Sequence, residues 1–352
     1  MHPSADAVPI MDKKQILKYI LSAALALVLL WFSFRGVSWA DFADGIKSCR
    51  WGWLLVSMFA GVLAFWFRAL RWRRLLLPLD SSITRKTAFN AVNIGYLANF
   101  VFPRIGEFVR CGVISSNSMS LRQDGAPDSD GLHVKKASYD KVLGTVVLER
   151  AWDMLSMLIL LFVLLAFRWD RFGGFFMDEI WRPASGRLDI SIRWVVIVLA
   201  VAMAACVACI WKYRNTNKFC SRIWGVARGL FQGFASCLKM KDKWAFFLYT
   251  ALIWGMYWLM AAATMRAVPD LDSLHLVDAL FLSLAGSLGW VVPVPGGFGA
   301  FHFIVSLALS SIYGLPFAQG MVFATLSHES QAVTMILFGL VSYVSESLRK
   351  ME

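Results

Sequence analysis

Long apolar runs bounded by charged residues constrain this chain more than any other feature of its sequence. Runs such as 51–70, 142–166 and 244–266 are mostly apolar over about 20 residues, the length that crosses the hydrocarbon of a bilayer. Charged residues make up only 16% of the chain, against about 25% in a soluble domain. Because a bilayer offers backbone groups no hydrogen-bond partners, such runs must be helical. The sequence therefore predicts an all-α polytopic membrane helix bundle, a single integral membrane domain over residues 1–352.

About six full spans are predicted, and no soluble domain is visible between them. The spans cover 16–34, 51–70, 142–166, 193–211, 244–266 and 318–343. For the first span, a cleaved signal peptide is the alternative interpretation. Val37-Ser-Trp-Ala40 is a poor small-residue cleavage site, so we expect an uncleaved helix.

Two further apolar segments consist of pieces too short to cross a bilayer, and both break on proline and glycine. The segment 88–115 is interrupted after Pro103, and the segment 276–312 is interrupted from Pro293 to Gly299. Interrupted segments at matching places in two halves point to the binding site of a transporter. Irregular backbone at membrane depth is tolerated only inside protein or beside a wet cavity. We therefore expect two re-entrant broken hairpins that hold the functional site.

Loop charges predict how these hairpins are oriented. The net charge of +12 arises from Lys and Arg in loops beside apolar runs, which is typical of the positive-inside rule and not of nucleic-acid binding. The most basic stretch, 212–243, is predicted to be a cytoplasmic connector containing an amphipathic helix. For this connector to be cytoplasmic, 88–115 must start and end in the cytoplasm, whereas 276–312 enters from outside. Two hairpins of opposite orientation indicate an inverted repeat.

The same rule places both chain termini in the cytoplasm. It also assigns a cluster of basic residues after the second span to a cytoplasmic loop. That cluster consists of Arg68, Arg71, Arg73, Arg74, Arg85 and Lys86.

Ionisable residues in the first hairpin and at the start of the next span are candidates for a binding site. Charges at membrane depth are costly and usually face a cavity or one another. The pattern predicts an anion site suited to lipid phosphate; a structural salt bridge, formed for instance by Glu107 and Arg110 at i,i+3, is the alternative. For the candidates at the start of the next span, the alternative is that they lie in the headgroup region and are simply solvated. The candidates are Asn99, Arg104, Glu107 and Arg110 in the hairpin and Glu149, Arg150 and Asp153 in the span.

The second break supplies glycine and histidine instead of charge. Gly296, Gly297 and Gly299 permit positive φ and close approach of a ligand. His302 follows within one turn, and the last span carries His328 and Glu329. A lone helical histidine is usually a satisfied polar contact, but several polar residues together favour a lined cavity.

Neither a metal nor a cofactor is predicted. The run His328-Glu-Ser-Gln331 lacks the second histidine of HExxH, which argues against a zinc protease. No GxxxxGK[ST] motif occurs, so we expect movement of a substrate to be passive or ion-coupled.

The order of these motifs resembles the lysylphosphatidylglycerol synthase transmembrane, or flippase-like, family. The matching residues are Arg71-Trp72, Asn99…Pro103-Arg104-Ile-Gly106-Glu107…Arg110, Glu149-Arg150…Asp153 and Pro293…Pro295-Gly296-Gly297-Phe-Gly299. The resemblance covers nearly the whole chain. It implies an integral membrane protein; in the best understood members this region moves aminoacylated phosphatidylglycerol between leaflets, and a separate soluble domain makes that lipid. Other members are linked to isoprenoid-lipid or glycolipid pathways.

The chain departs from the family pattern in two respects. Many members carry a glutamate where this chain has His302. The 352 residues also contain no segment resembling the soluble aminoacyltransferase domain, so lysyl transfer is not expected.

The predicted function is a flippase or transporter of the cell inner membrane that moves an anionic or lipid-linked headgroup between leaflets, and not an enzyme. The predicted partner is a membrane lipid with an anionic headgroup, whose phosphate Arg104 and Arg110 would receive. Glu107, Glu149 and Asp153 would tune that site. One alternative is an intramembrane enzyme with Glu107 or His302 as acid or base; another is a non-transporting component of an envelope lipid pathway. The sequence leaves the lipid, the coupling ion and the oligomeric state open.

Overall fold

A computed structural model of the chain describes residues 13–120, 137–169, 172 and 192–349, and within them the regular structure is helical. The helices are α1 (Lys13–Phe34), α2 (Trp39–Lys47), α3 (Trp51–Leu76), α4 (Arg85–Val101), α5 (Gly106–Ser120), α6 (Tyr139–Phe167), α7 (Ile192–Tyr213), α8 (Lys218–Lys239), α9 (Lys243–Ala267), α10 (Leu276–Val291), α11 (Ala300–Tyr313) and α12 (Phe317–Arg349). Short 3₁₀ turns cover Pro269–Leu271 and Pro295–Gly297.

Five helical segments of the described residues are long and apolar enough to cross a membrane. They are α3, α6, α9, α12 and the segment Pro295–Tyr313, which contains α11. A sixth span results if the bent pair of α1 and α2, which meet at 90°, is taken as one. Large apolar side chains such as Leu158 and Phe162 on α6 are exposed, as a lipid-facing surface requires. The prediction of an all-α polytopic membrane bundle is confirmed.

Local sequence sets several helix boundaries. Thr84 starts α4, since its hydroxyl accepts a hydrogen bond from the Thr87 amide at 3.1 Å. Ser38 caps α2 in the same way through the Asp41 amide. This short helix lies in a segment for which hydropathy alone predicts no element. At the other end of the chain, Gly314 ends α11 in the left-handed conformation with φ 66°.

Helices α3 and α9 pack along one another through small residues and short polar contacts. Ala60, Gly61 and Ala64 lie buried on α3. The Ser57 hydroxyl donates to the Met260 carbonyl at 3.1 Å and accepts from the Thr264 hydroxyl at 3.0 Å. Small residues let helix backbones approach in a membrane, where apolar burial provides little drive for association. This pair therefore forms a close seam through the bundle.

The first broken hairpin consists of α4 and α5. The chain turns at Pro103 and at Arg104, which has φ 61°. The Asn99 side-chain oxygen accepts a hydrogen bond from the Gly106 amide at 2.7 Å, so a side chain satisfies an amide that the break leaves free. The prediction of a break at this position is confirmed.

The second broken hairpin consists of α10 and α11, separated by Val292 to Gly299. The three glycines of the break have positive φ: 56° at Gly296, 75° at Gly297 and 78° at Gly299. The expected conformation of these glycines is confirmed, and it is one that other residues rarely adopt.

Each half of the described bundle has the same order of elements: a long helix, a broken pair and another long helix. The order is α3, α4/α5, α6 in the first half and α9, α10/α11, α12 in the second. This agreement favours the inverted repeat, which stays a prediction together with the side from which each hairpin enters. The termini predicted to be cytoplasmic include residues 1–12 and 350–352, which lie outside the described residues.

The assignment of Arg68 and Arg71 to a cytoplasmic loop is wrong. Helix α3 continues to Leu76 rather than ending near residue 70, and Arg68 is only 5% exposed while Arg71 is fully buried. Their i,i+3 spacing puts both on the helix face that meets α6, where carboxylates neutralise them. Arg74, one turn later, instead reaches outward to form an ion pair with the half-exposed Asp242.

The connector predicted over 212–243 contains α8, which packs on the bundle. The Phe234 ring meets the Trp152 ring of α6 edge-on at 4.9 Å between centroids, and Cys237 is buried. A Cβ on Gly233 would touch Leu148 of α6, so the two helices approach closely. Helix α8 is thus attached to the bundle by apolar contacts, while its cytoplasmic location stays a prediction.

Candidate functional site

Charged side chains from α3, α5 and α6 converge inside the bundle to form what we call the charged cluster. Its members are Arg68, Arg71, Glu107, Arg110, Glu149, Arg150 and Asp153. Five of these are sequence-predicted site residues, and the structure brings them together. Arg68 and Arg71 are the members that sequence reasoning missed.

Glu149 lies at the centre of the charged cluster and is fully buried. Arg68 donates to its Oε1 at 2.9 Å, and Arg71 approaches the same oxygen at 3.4 Å. The Arg110 Nη1 lies 2.8 Å from Oε2. One carboxylate on α6 therefore neutralises arginines from both α3 and α5.

Asp153 lies one turn further along α6 and receives the same two α3 arginines. Arg71 donates to it at 2.5 Å and Arg68 at 2.7 Å. Arg68 also donates to the Tyr257 hydroxyl of α9 at 2.9 Å. Because Arg68 and Arg71 each have several partners, the charged cluster joins α3, α6 and α9.

The Glu107–Arg110 pair considered from the i,i+3 spacing does not form. Glu107 faces Arg150 instead, at 3.8 Å between Oε1 and Nε, while Arg110 turns to Glu149. Helix α6 packs against α5 and offers each residue a partner of opposite charge, which the spacing within α5 cannot reveal. The Glu107–Arg150 pair is long and partly exposed, whereas the pairs around Glu149 are buried.

A small open pocket lies beside the Glu107–Arg150 pair of the charged cluster. It is shallow and open on one side, with a cavity volume of about 10 Å³, room for about one water molecule. Its lining residues come from α4, α5 and α6: Val92, Gly95, Tyr96, Asn99, Gly106, Glu107, Arg110 and Arg150. The break of the first hairpin, with Asn99 and Gly106, thus forms one wall.

The charged cluster has more positive than negative groups. Its four arginines face three carboxylates, an excess of one positive charge. The Nε and Nη2 atoms of Arg110 are buried without a hydrogen-bond partner among the described residues, and its guanidinium lies 4.6 Å from the centre of the Trp72 ring. Unfilled donors beside a pocket give the site the capacity to bind an anion.

Arg104 lies apart from the charged cluster. It is exposed at the first break, and its guanidinium donates to the Val291 carbonyl at the end of α10. The Phe100 and Phe298 rings also meet edge-on, 5.5 Å apart. These two contacts join the breaks of the two hairpins to one another.

A second set, which we call the histidine group, consists of His302, His328 and Glu329. The His328 Nε2 lies 2.7 Å from the Gly296 carbonyl, and its Nδ1 lies 3.0 Å from Glu329 Oε1. The His302 Nε2 lies 3.7 Å from the same carboxylate oxygen. Within the described residues, no hydrogen bond or ion pair joins the histidine group directly to the charged cluster. A single cavity lined by both hairpins stays a prediction.

The remaining glycines of the second break make packing contacts. Gly297 lies against the Trp290 ring, and Gly299 lies against α1, where Ser33 donates to its carbonyl at 3.2 Å. A Cβ on Gly299 would overlap the backbone of Leu30. Positive φ and close packing account for these two glycines, and their role in binding a substrate stays a prediction.

A family model described as "Lysylphosphatidylglycerol synthase TM region" matches residues 19–339. The chain belongs to this family. Both broken hairpins, the charged cluster and the histidine group lie within the matched residues. No curated protein matches the chain. Family membership gives the protein a membrane-lipid-related function.

Proposed function

We propose that this protein is a flippase-like transporter that moves an anionic lipid headgroup between leaflets of a cell inner membrane, without covalent chemistry. The observation that carries the proposal is the charged cluster, which has one excess positive charge and faces a pocket at a break in a helical hairpin. Ionisable groups inside a membrane bundle mark substrate or ion pathways by default. We place both termini in the cytoplasm, as the loop charges predict.

The buried and the exposed parts of the charged cluster have different roles in this proposal. Glu149 and Asp153 hold Arg68 and Arg71 in place, since all four are largely buried and closely paired. Arg150 is 42% exposed and only loosely paired with Glu107. A headgroup phosphate in the pocket would take the place of Glu107 as the partner of Arg150 and would fill the free donors of Arg110. Arginine suits this exchange because its planar donors match phosphate oxygens.

The two breaks provide a route for the headgroup past the bundle interior. Broken helices present free backbone groups where a continuous helix would present only side chains. Arg104 and the Phe100–Phe298 contact hold the breaks together. The headgroup would cross beside this contact while the acyl chains stay in lipid. The coupling is passive or ionic.

The proposal is tested with the purified protein in liposomes that carry fluorescently labelled phosphatidylglycerol in one leaflet. Arg150→Gln should slow translocation at least about tenfold, since a hydrogen bond to a charged group contributes about 1.5–3 kcal/mol. The translocation rate of Arg150→Lys should lie between those of Arg150→Gln and the native protein. Lysine keeps the positive charge but lacks the planar set of donors of a guanidinium group. Arg35→Gln is the matched control: Arg35 contacts the Trp31 ring and lies outside the charged cluster.

Three outcomes would contradict the proposal. One is translocation by Arg150→Gln at the native rate. Another is equal rates for phosphatidylglycerol and for a labelled neutral glycolipid, which would show that the positive site does not select its lipid. A covalently altered lipid recovered from the vesicles by mass spectrometry would favour an intramembrane enzyme.

A further inference from the structure

The histidine group consists of side chains from two helices that meet beside the second break. His302 lies one turn into α11, and His328 and Glu329 lie in the first half of α12. His302 is 2% exposed and His328 is fully buried, whereas the Glu329 side chain is 43% exposed. The group is therefore enclosed on the histidine side and open on the carboxylate side.

The contact with Gly296 determines which nitrogen of neutral His328 carries the proton. A carbonyl oxygen only accepts hydrogen bonds, so the Nε2 at 2.7 Å from the Gly296 oxygen must be the donor. The Nδ1 of the neutral ring then presents a lone pair. That lone pair faces Glu329 Oε1 at 3.0 Å. Two acceptors at this distance require a cation between them, either a proton or a metal ion.

His302 distinguishes between these two cations. Within the described residues its Nδ1 is buried without a hydrogen-bond partner, and its Nε2 makes no hydrogen bond but lies 3.7 Å from Glu329 Oε1. A buried polar group without a partner costs about 1–3 kcal/mol. A proton shared by His328 and Glu329 would leave the Nε2 of His302 without a partner. A metal ion would take all three residues as ligands.

We propose that His302, His328 and Glu329 bind a divalent transition-metal ion of the zinc class. One ligand atom from each residue lies within 4.8 Å of the others. Ligand atoms about 2.0–2.2 Å from a tetrahedral zinc lie roughly 3.3–3.6 Å from one another. The two histidine nitrogens lie 3.0 and 3.7 Å from Glu329 Oε1, close to this value, and they would move together from a separation of up to 4.8 Å on binding the ion. Two histidines and a glutamate form a ligand set that leaves a fourth position open.

The surroundings of His328 match those of known metal ligands. Metal-bound histidines donate their other ring N–H to a carbonyl or carboxylate, as His328 does to Gly296. The Trp290 ring stacks on His328 at 5.3 Å, and the Phe298 ring stacks on His302 at 6.5 Å. These rings keep water from the imidazoles, while the exposed Glu329 leaves a path for the ion. The open coordination position of the bound ion would face the same side as Glu329.

The site is tested by metal binding, which does not depend on the proposed transport. The full chain, purified without a histidine tag and stripped with EDTA, is incubated with Zn²⁺ and passed over a desalting column, and bound zinc is measured by mass spectrometry. The native protein should bind one Zn²⁺ per chain, and Co²⁺ should give the visible absorption of a tetrahedral site. His302→Gln and Glu329→Gln should each weaken binding at least about tenfold.

The matched control is His275→Gln, which removes a histidine outside the histidine group, directly before α10. It should bind zinc as the native protein does. The variants should elute as native-like single species in gel filtration, which separates loss of a ligand from loss of the fold. Native protein that binds no more zinc than the His302→Gln/His328→Gln double variant would overturn the proposal. Zinc binding that neither His302→Gln nor Glu329→Gln weakens would also overturn the proposal. A pH-dependent infrared band of the Glu329 carboxyl without zinc binding would assign the group to a shared proton instead.

Discussion

At the scale of single residues, Glu149 is the fully buried carboxylate that faces three arginines of the charged cluster. It is fully buried and faces Arg68, Arg71 and Arg110 at 2.9, 3.4 and 2.8 Å. Burial of an arginine is tolerated only when a paired carboxylate compensates for the lost hydration. The burial of these arginines therefore depends strongly on this negative charge, which Arg110 shares with Arg68 and Arg71.

Glu149→Gln should destabilise the protein by about 3–5 kcal/mol, the usual cost of leaving buried charges uncompensated. The amide can still accept a hydrogen bond, but it no longer balances the positive charge of three guanidinium groups. The free energy of unfolding in detergent micelles, titrated with a denaturing surfactant, measures the loss.

Asp140→Asn is the matched control for this prediction, because it neutralises an exposed carboxylate in the first turn of the same helix. Its effect should stay within about 0.5 kcal/mol, as for most surface substitutions. If Glu149→Gln costs no more than Asp140→Asn, the charged cluster contributes nothing to stability.

Some members of the charged cluster can be predicted from the sequence, and others cannot. Glu149, Arg150 and Asp153 are recognisable because they lie within five residues of one another in an otherwise apolar span. The sequence assigns Arg68 and Arg71 to a loop because Arg73 and Arg74 follow them, and such a cluster of basic residues is typical of a cytoplasmic loop. The apolar residues that continue to Leu76 are the signal that could have extended α3 and brought both arginines into the bundle.

At the scale of elements, the first hairpin depends on a close approach of α4 to α5. A Cβ on Gly106 would overlap the carbonyl oxygen of Gly95 and the side chain of Asn99. This approach also lets Asn99 accept the hydrogen bond from the Gly106 amide. The sequence predicts the break, but the close contact of the two glycines requires the folded hairpin.

Gly106→Ala should therefore destabilise the protein by about 1–3 kcal/mol, as overpacking against backbone usually does. The added methyl group would push α5 away from α4 and alter the pocket wall. Thermal unfolding followed by tryptophan fluorescence measures the change.

Gly112→Ala provides the comparison within the same helix, since nothing lies within 4 Å of a Cβ at that position. It should stabilise the protein by roughly 0.5–1 kcal/mol, because alanine has the higher helix propensity. Equal effects of the two substitutions would mean that α4 and α5 do not approach closely at Gly106.

The histidine group shows the limit of motifs read along a single element. His328 and Glu329 begin a run that lacks the second histidine of HExxH, and on that ground no metal site was predicted. In the structure a second histidine comes from α11, and the second break turns that helix toward α12. Spacing within one helix cannot reveal a side chain that another helix contributes.

At the scale of the whole molecule, an ion pair between Arg50 and Asp272, which we call the clasp, joins the two halves outside the spans. Arg50 precedes α3, and Asp272 lies between α9 and α10. The guanidinium donates to both carboxylate oxygens, at 2.8 and 2.6 Å. These hydrogen bonds from Arg50 lower the pKa of Asp272 below its usual value.

The clasp predicts a specific dependence of stability on pH. A carboxyl whose pKa is lowered by folding contributes stability above its unfolded pKa, about 3.9, and loses it as the pH falls through the folded value. Arg50→Gln should therefore lower the melting temperature slightly at pH 7 and have no effect at a pH below the folded pKa of Asp272. The effect is small because the pair is exposed.

Melting temperatures of native protein and Arg50→Gln at pH 7 and pH 3 check this prediction. Arg35→Gln serves as the control, since it removes an arginine that contacts a ring instead of a carboxylate. A difference between native protein and Arg50→Gln that persists unchanged at pH 3 would show that Asp272 is not its partner.

Hydropathy, proline and glycine determined the membrane class, most helices and both breaks, because these depend on local composition and on the cost of unpaired backbone in lipid. Loop charges predicted the orientation of the hairpins, which stays a prediction. Only the tertiary structure decided that Arg68 and Arg71 pair with α6, that Glu107 faces Arg150, and that His302 meets His328. These pairings join residues on different helices. They depend on how the helices pack, and no periodicity along a single helix carries that information.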